Sequence, residues 1–139
     1  MPRLFIAIIL TAVTVLGCNT RPAAKSVIST VKATDATRQM IGRWGAGGDA
    51  AIIFTLQNDN VAISGPPNDT WRIEIHDATI VDDSIHFVQK SYLLNGDDHP
   101  FNGVACNSIV TVVDEHSIRL KVSTAQSPEL EADMLTRIE

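Results

Sequence analysis

From Trp44 onward, apolar and polar residues alternate with a period of two, and turn-forming residues interrupt the alternation roughly every eight to twelve positions. Successive side chains of a strand point to opposite faces, so this pattern predicts antiparallel strands with one buried face. Ile52, Phe54 and Leu56 lead up to Asn58-Asp59, a tight-turn pair, and Val61 and Ile63 lead back. Pairing Leu56 with Val61 and Phe54 with Ile63 sets all five on one face. In the next hairpin Trp71, Ile73, Ile75, Asp77, Thr79 and Val81 run out, and Ile85, Phe87, Gln89, Ser91 and Leu93 run back. A two-residue turn at Asp82-Asp83 would pair Thr79 with His86 and mix the faces. A three-residue turn, Asp82-Asp83-Ser84, pairs Val81 with Ile85 and Ile73 with Leu93, and is preferred. In that register Asp77 opposes Gln89, Thr79 opposes Phe87 and Ile75 opposes Ser91.

A third hairpin runs through Val104, Cys106, Ser108, Val110 and Val112, turns at Asp114-Glu115-His116, and returns through Ile118, Leu120, Val122 and Thr124. A last strand over about 130–138 sets Leu130, Met134 and Ile138 against Glu131, Asp133 and Arg137, with Leu135 breaking the alternation. The fold class predicted is all-β: an antiparallel up-and-down meander of about eight strands. Closing it into a small barrel removes the exposed sheet edges. Ahead of the meander, residues 34–41 suit one or two helical turns with Thr34 or Asp35 as the cap and Gly42 as the stop. Residues 18–33 mix Thr, Ser, Lys, Arg and Pro22 without apolar periodicity and read as a tether.

The first 17 residues are different in kind. Arg3 precedes an apolar run over 4–17, about 14 residues and too short to cross a bilayer, which takes ~20. This is the layout of a secretory signal. Val15-Leu16-Gly17-Cys18 at its end resembles a bacterial lipobox, the cleavage motif of lipoprotein signal peptides. The resemblance implies diacylation of the Cys18 thiol, cleavage before it, and an acylated new N-terminus. Acyl chains at ~0.8 kcal/mol per buried methylene would hold the mature chain on a membrane. Asn19, rather than an inner-membrane-retaining Asp, follows the cysteine; the resemblance favours the outer membrane of a didermal cell. The division is thus 1–17 signal peptide, 18–33 lipidated tether and 34–139 barrel domain.

Composition narrows the partners. The precursor carries a formal charge of −5 with no Lys/Arg cluster, which argues against nucleic acid. Aromatic residues make up only 5% of the chain, so burial must rest on aliphatic side chains. There are two cysteines; with Cys18 lipidated, Cys106 has no partner in the chain, and no Cys/His spacing suits a structural zinc. No cofactor motif stands out, and Gly45-Ala46-Gly47-Gly48 lacks the Lys-Ser/Thr of a phosphate loop.

Gly42-Arg43-Trp44 at the first strand, the meander after it and the late Arg137 resemble the lipocalin and avidin-like small barrels. In that family the tryptophan closes the barrel floor and packs under an arginine from near the chain's end. The resemblance implies a structural cation–π pair of Trp44 and Arg137.

Candidate chemistry is sparse. Polar residues on the expected inner face of the second hairpin suggest a ligand-binding set of Trp71, Asp77, Phe87, Gln89 and Ser91, able to line a cavity mouth. His76 and His86 fall on the outer face of opposite strands, and His99 lies in the acidic loop 95–101, which lacks calcium-loop spacing. Cys106 is expected on the inner face, where a lone thiol acts as a small apolar group. No nucleophile–base or carboxylate pair emerges, and no catalytic residue is expected. The expected function is that of a cell-envelope lipoprotein held on a membrane by its N-terminal lipid. It would bind a small apolar or amphipathic ligand without catalysis. The alternative is a protein-interaction or inhibitor role carried by the loop 95–101 over a filled barrel.

Overall fold

Asn58 and Asp59 both take left-handed backbone, φ 46° and 63°, which a two-residue type I′ hairpin requires and which Asn and Asp tolerate. They join β3 (Asp49–Gln57) to β4 (Asn60–Ser64), with Leu56 opposite Val61 and Phe54 opposite Ile63. This is the register demanded by the apolar alternation. The computed structural model describes residues 27–66, 69–95, 98–129 and 131–138. The stretch 1–17 expected to be a signal peptide, and Cys18, lie outside them.

The other strands are β1 (Ser29–Lys32), β2 (Gly42–Ala46), β5 (Trp71–Val81), β6 (Ser84–Leu93), β7 (Cys106–Asp114), β8 (Ser117–Ser123) and β9 (Glu131–Ile138). One short helix, α1 (Asp35–Arg38), follows β1. The sheet order is β1-β4-β3-β2-β9-β8-β7-β6-β5, with every neighbouring pair antiparallel. Its two outer strands come together: Val27 bridges Glu74, the Ile75 amide donates to the Val27 carbonyl at 2.9 Å, and the Ala78 amide donates to Ser29 Oγ at 3.1 Å. The protein is an all-β, nearly closed antiparallel barrel with almost no helix.

The nine described strands exceed the expected eight because β1 lies inside the stretch read as tether. Only Val31 of β1 is buried, so Ser-Thr-Val-Lys shows no run of alternation. Its strand character comes from filling the seam between β4 and β5.

Two hairpins reach the expected faces by another route. Asp82-Asp83 is a two-residue turn with Val81 opposite Ser84, and Thr79 does pair with His86. Between His76 and Thr79 the register shifts by one, so Asp77 and Ala78 together oppose Phe87. Asp77 has φ 54°. The bulge restores the faces, and both Ile80 and Ile75 meet the core. In the third hairpin Val112 opposes Ile118, but Asp114 already opposes Ser117, so Val113 bulges and the turn shrinks to Glu115-His116. On β9 the expected inner set is reversed: Leu135 is buried and opposes Ile118, whereas Met134 is 49% exposed.

Thr34 caps α1. The Thr37 amide donates to its Oγ1 at 3.1 Å, and the Thr34 amide donates to Thr37 Oγ1 at 2.8 Å, a reciprocal capping box. Beyond this single turn Met40 is fully buried, and its carbonyl accepts from Trp44 Nε1 at 2.6 Å. Arg137 lies with its guanidinium carbon 4.2 Å from the Trp44 ring centroid. Its Nη1 donates to Ile41 O at 2.6 Å, Nη2 to Gln39 O at 3.0 Å and Nε to Glu115 O at 3.0 Å. Gly42, at φ 141°, leaves the space: a Cβ there would sit 2.6 Å from Nη1. This end, with the tips at 58–59, 82–83 and 115–116, is the closed floor. Fully buried Trp44, Phe54, Met40, Ile63, Ile75, Ile85 and Ile118 fill the body above it, each contributing roughly 1.5–3 kcal/mol by burial. At the other end lie Gly47-Gly48 and the connections after β4, β6 and β8.

Candidate functional site

The upper halves of β5 and β6 carry inner-face residues past the packed core. Trp71 opposes Leu93, Ile73 opposes Ser91 and Ile75 opposes Gln89. Ile75 is buried, but Trp71, Ile73, Ser91 and Leu93 are only half-buried, because the interior opens towards the mouth. Over this opening folds the loop after β6. Gly103 N donates to Ser91 O at 2.9 Å, and Leu93 N donates to Asn102 Oδ1 at 2.8 Å. Asn102 also bridges Ser91. Gly103 takes φ 66° and a Cβ would press within 2.9 Å of the Tyr92 ring, so the loop can turn here only with glycine.

The pinned loop sets His99 edge-on to Trp71, ring centroids 5.3 Å apart at 90°, with Phe101 at 5.6 Å from His99. Phe101 N donates to His99 Nδ1 at 3.1 Å, so in the neutral ring Nε2 carries the proton. Trp71, Ile73, Ser91, His99 and Phe101 enclose an open cleft of about 290 Å³. Its lining is an aromatic and aliphatic wall with one hydroxyl and one imidazole. That composition suits an apolar ligand with a small polar end.

Of the expected ligand set, Trp71 and Ser91 meet in this cleft. Phe87 does not: it is 3% exposed and belongs to the core. Gln89 lies one step deeper, opposite Ile75 and Cys106. Asp77 is exposed at the bulge and no longer opposes Gln89; with His86, Phe87 and Ser108 it lines a second, separate recess of about 250 Å³. The missed turn–bulge combination accounts for this displacement. Ile73, His99 and Phe101 were not in the expected set. The signal for Phe101 was an aromatic residue in a turn-rich, acidic loop.

The remaining candidates disperse. His76 opposes Val88 and His86 opposes Thr79 on the outer face. His76 Nε2 lies 2.9 Å from Glu74 Oε2, and Arg72 Nη2 lies 3.1 Å from Glu74 Oε1. Arg72 also stacks on Tyr92, 4.5 Å from its centroid. This partly exposed trio braces the outside of β5. Among the described residues, no three of His, Cys, Asp and Glu group to hold a metal. Cys106 is half-buried on the inner face, where burial raises its thiol pKa, the opposite of what an activated nucleophile needs. No described helix is long and apolar enough to cross a membrane. The chain matches no family model, no curated protein and no solved structure.

Proposed function

We propose that the protein is a cell-envelope lipoprotein, anchored through Cys18 on a membrane, which binds a small apolar or amphipathic ligand without catalysis. The lipobox-like end of its signal supports the anchor and, through Asn19, an outer-membrane location facing the periplasm in a didermal cell. The observation that carries the binding role is the cleft of Trp71, Ile73, Ser91, His99 and Phe101. Its volume falls at the small end of ligand sites, so a single acyl chain or a compact lipophile fits it better than a large polycyclic molecule. The likeness of the Trp44–Arg137 floor to lipocalins and avidin-like barrels agrees with a barrel that takes ligands at its open end.

Titration of the mature protein with a medium-chain fluorescent fatty acid tests this reading. Trp71→Ala is expected to weaken binding about tenfold or more, since removing ~60 Å² of apolar contact at ~25 cal/mol per Å² costs about 1.5 kcal/mol. Asp77→Ala, remote from the cleft, is expected to bind as the parent does. Equal affinity of the parent and Trp71→Ala would remove the cleft as the site.

One observation favours a second reading: Phe101 is 64% exposed at the tip of a loop over a well-filled body. A protein partner could seat that ring, as an envelope inhibitor would use it. Absence of lipophile binding, together with a stoichiometric envelope partner lost on Phe101→Ala, would select this alternative.

A further inference from the structure

Asp77 stands apart from the other left-handed residues with side chains. Asn58, Asp59 and Asp82 sit in hairpin turns, but Asp77, at φ 54°, lies within β5. It takes the first place of the bulge, which glycine fills at no steric cost. Ala78, in the second place, packs against the core, and its amide is held by Ser29 Oγ at 3.1 Å. An aspartate at the first place sets a carboxylate where the fold makes no use of it. Among the described residues it has no hydrogen bond or ion pair.

That carboxylate borders the recess of about 250 Å³, which opens on the outer face of β6 and β7. Val88 opposes Asn107 and Ile109 opposes His86, and Ser123 of β8 stands beside Asn107. The two aliphatic residues thus occupy one diagonal of a checkerboard, and His86 and Asn107 the other. Diagonal neighbours lie about 7–8 Å apart. The side chains of His86, Asn107 and Ser123 also make no hydrogen bond among the described residues. Since His86 bonds neither Asp77 nor a serine, the recess offers contacts to a ligand rather than a nucleophile–base pair.

An ionised carboxylate only accepts hydrogen bonds, whereas imidazole, amide and serine hydroxyl each offer donor and acceptor. A ligand hydroxyl, which itself donates and accepts, answers all four. Val88 and Ile109 between them give a C–H face an apolar seat. Lys121, opposite Ile109 on β8, offsets the charge of Asp77, so the rim has little net charge to draw a metal ion or an amine. The volume lies below the ~300–1,000 Å³ of drug-sized sites, which suits a single sugar ring. We propose that this outer recess is a second binding site, separate from the mouth cleft, which takes a neutral sugar ring. Asp77, His86, Asn107 and Ser123 meet its hydroxyls, and Val88 and Ile109 lie under its C–H face. The site depends on neither the mouth ligand nor the anchor.

Isotope-labelled mature protein is titrated by NMR with glucose, galactose, mannose and N-acetylglucosamine, and separately with calcium chloride and methylammonium chloride. At least one sugar is expected to shift the amide signals of Asp77, His86, Asn107 and Ser123 saturably at millimolar concentration. Asp77→Gly, which suits the left-handed backbone, should weaken that sugar about tenfold or more. Its melting temperature should equal or exceed the parent's. Asn107→Ala, at an exposed position, should weaken the sugar as well with an unchanged circular dichroism spectrum. Fatty-acid binding at the mouth, measured on the same variants, should match the parent, so the two sites are judged independently. Four results would each overturn the proposal: no shift from any of the sugars, shifts away from the recess, parental sugar affinity in Asp77→Gly, or saturation by either cation instead.

Discussion

Replacing Arg137 by Met keeps most of the side-chain volume and removes everything the guanidinium does on the barrel floor. Three donors are lost, to the carbonyls of Ile41, Gln39 and Glu115, together with the stack on Trp44. A partly desolvated cation–π contact contributes ~0.5–2 kcal/mol, and a hydrogen bond from a charged donor ~1.5–3 kcal/mol when buried. Two of the three bonds are exposed, where water replaces the lost donor, so only the bond to Ile41 O counts near its full value. The expected destabilisation is about 2–4 kcal/mol, or a melting shift on the order of 10 °C for a domain of this size. Arg137→Lys retains the charge but not the planar fork, which both stacks and reaches three diverging carbonyls; it should fall between parent and Met. Urea unfolding followed by Trp fluorescence measures both variants, with a fall in midpoint at constant slope expected. A loss below about 0.5 kcal/mol for Met, within the range of an ordinary surface substitution, or a Lys variant as stable as the parent, would refute the reasoning.

Three further outcomes follow from single contacts. Asp59→Gly should stabilise by a few tenths to about 1 kcal/mol in the same assay, since it relieves a left-handed non-glycine residue and loses only an exposed 3.8 Å ion pair with Arg38. Ser29→Ala should cost about 1 kcal/mol and speed hydrogen exchange of the Ala78 amide, which loses its acceptor at the bulge; unchanged exchange would show that β1 does not hold the seam. Burial raises the Cys106 pKa, so at alkaline pH the unfolded chain releases the thiol proton before the folded one. Stability attributable to this group is therefore intact below the unfolded pKa and declines as pH climbs through it. Thiol-reagent labelling should be slow in the native protein and fast in urea; equal rates would contradict a protected thiol.

Period-two alternation was enough to read the antiparallel strands from β2 onward, the inward faces of all of them but β9, and the whole register of the β3–β4 hairpin. There the turn residues and the apolar positions make the same demand without any irregularity. The Thr34 cap of α1 was equally local. The β5–β6 hairpin was not readable to that depth, because a three-residue turn and a two-residue turn followed by a bulge restore parity equally well. Only the completed barrel, with the Ala78 amide turned to Ser29 of β1, selects the bulge, and that choice moves Asp77 out of the candidate site. β9 presented a similar ambiguity, since Met134 and Leu135 are adjacent and either could face inward. The contact of Arg137 with Trp44 settles it, because residues 135 and 137 share a face. β1 and the mouth cleft depend on segments far apart in the chain: four weakly patterned residues become a strand by filling a seam, and a loop becomes a wall when Asn102 and Gly103 pin it to β6. Local pattern determines which faces a strand has, but where its partners stop, slip or close is set by contacts that exist only once the chain has folded.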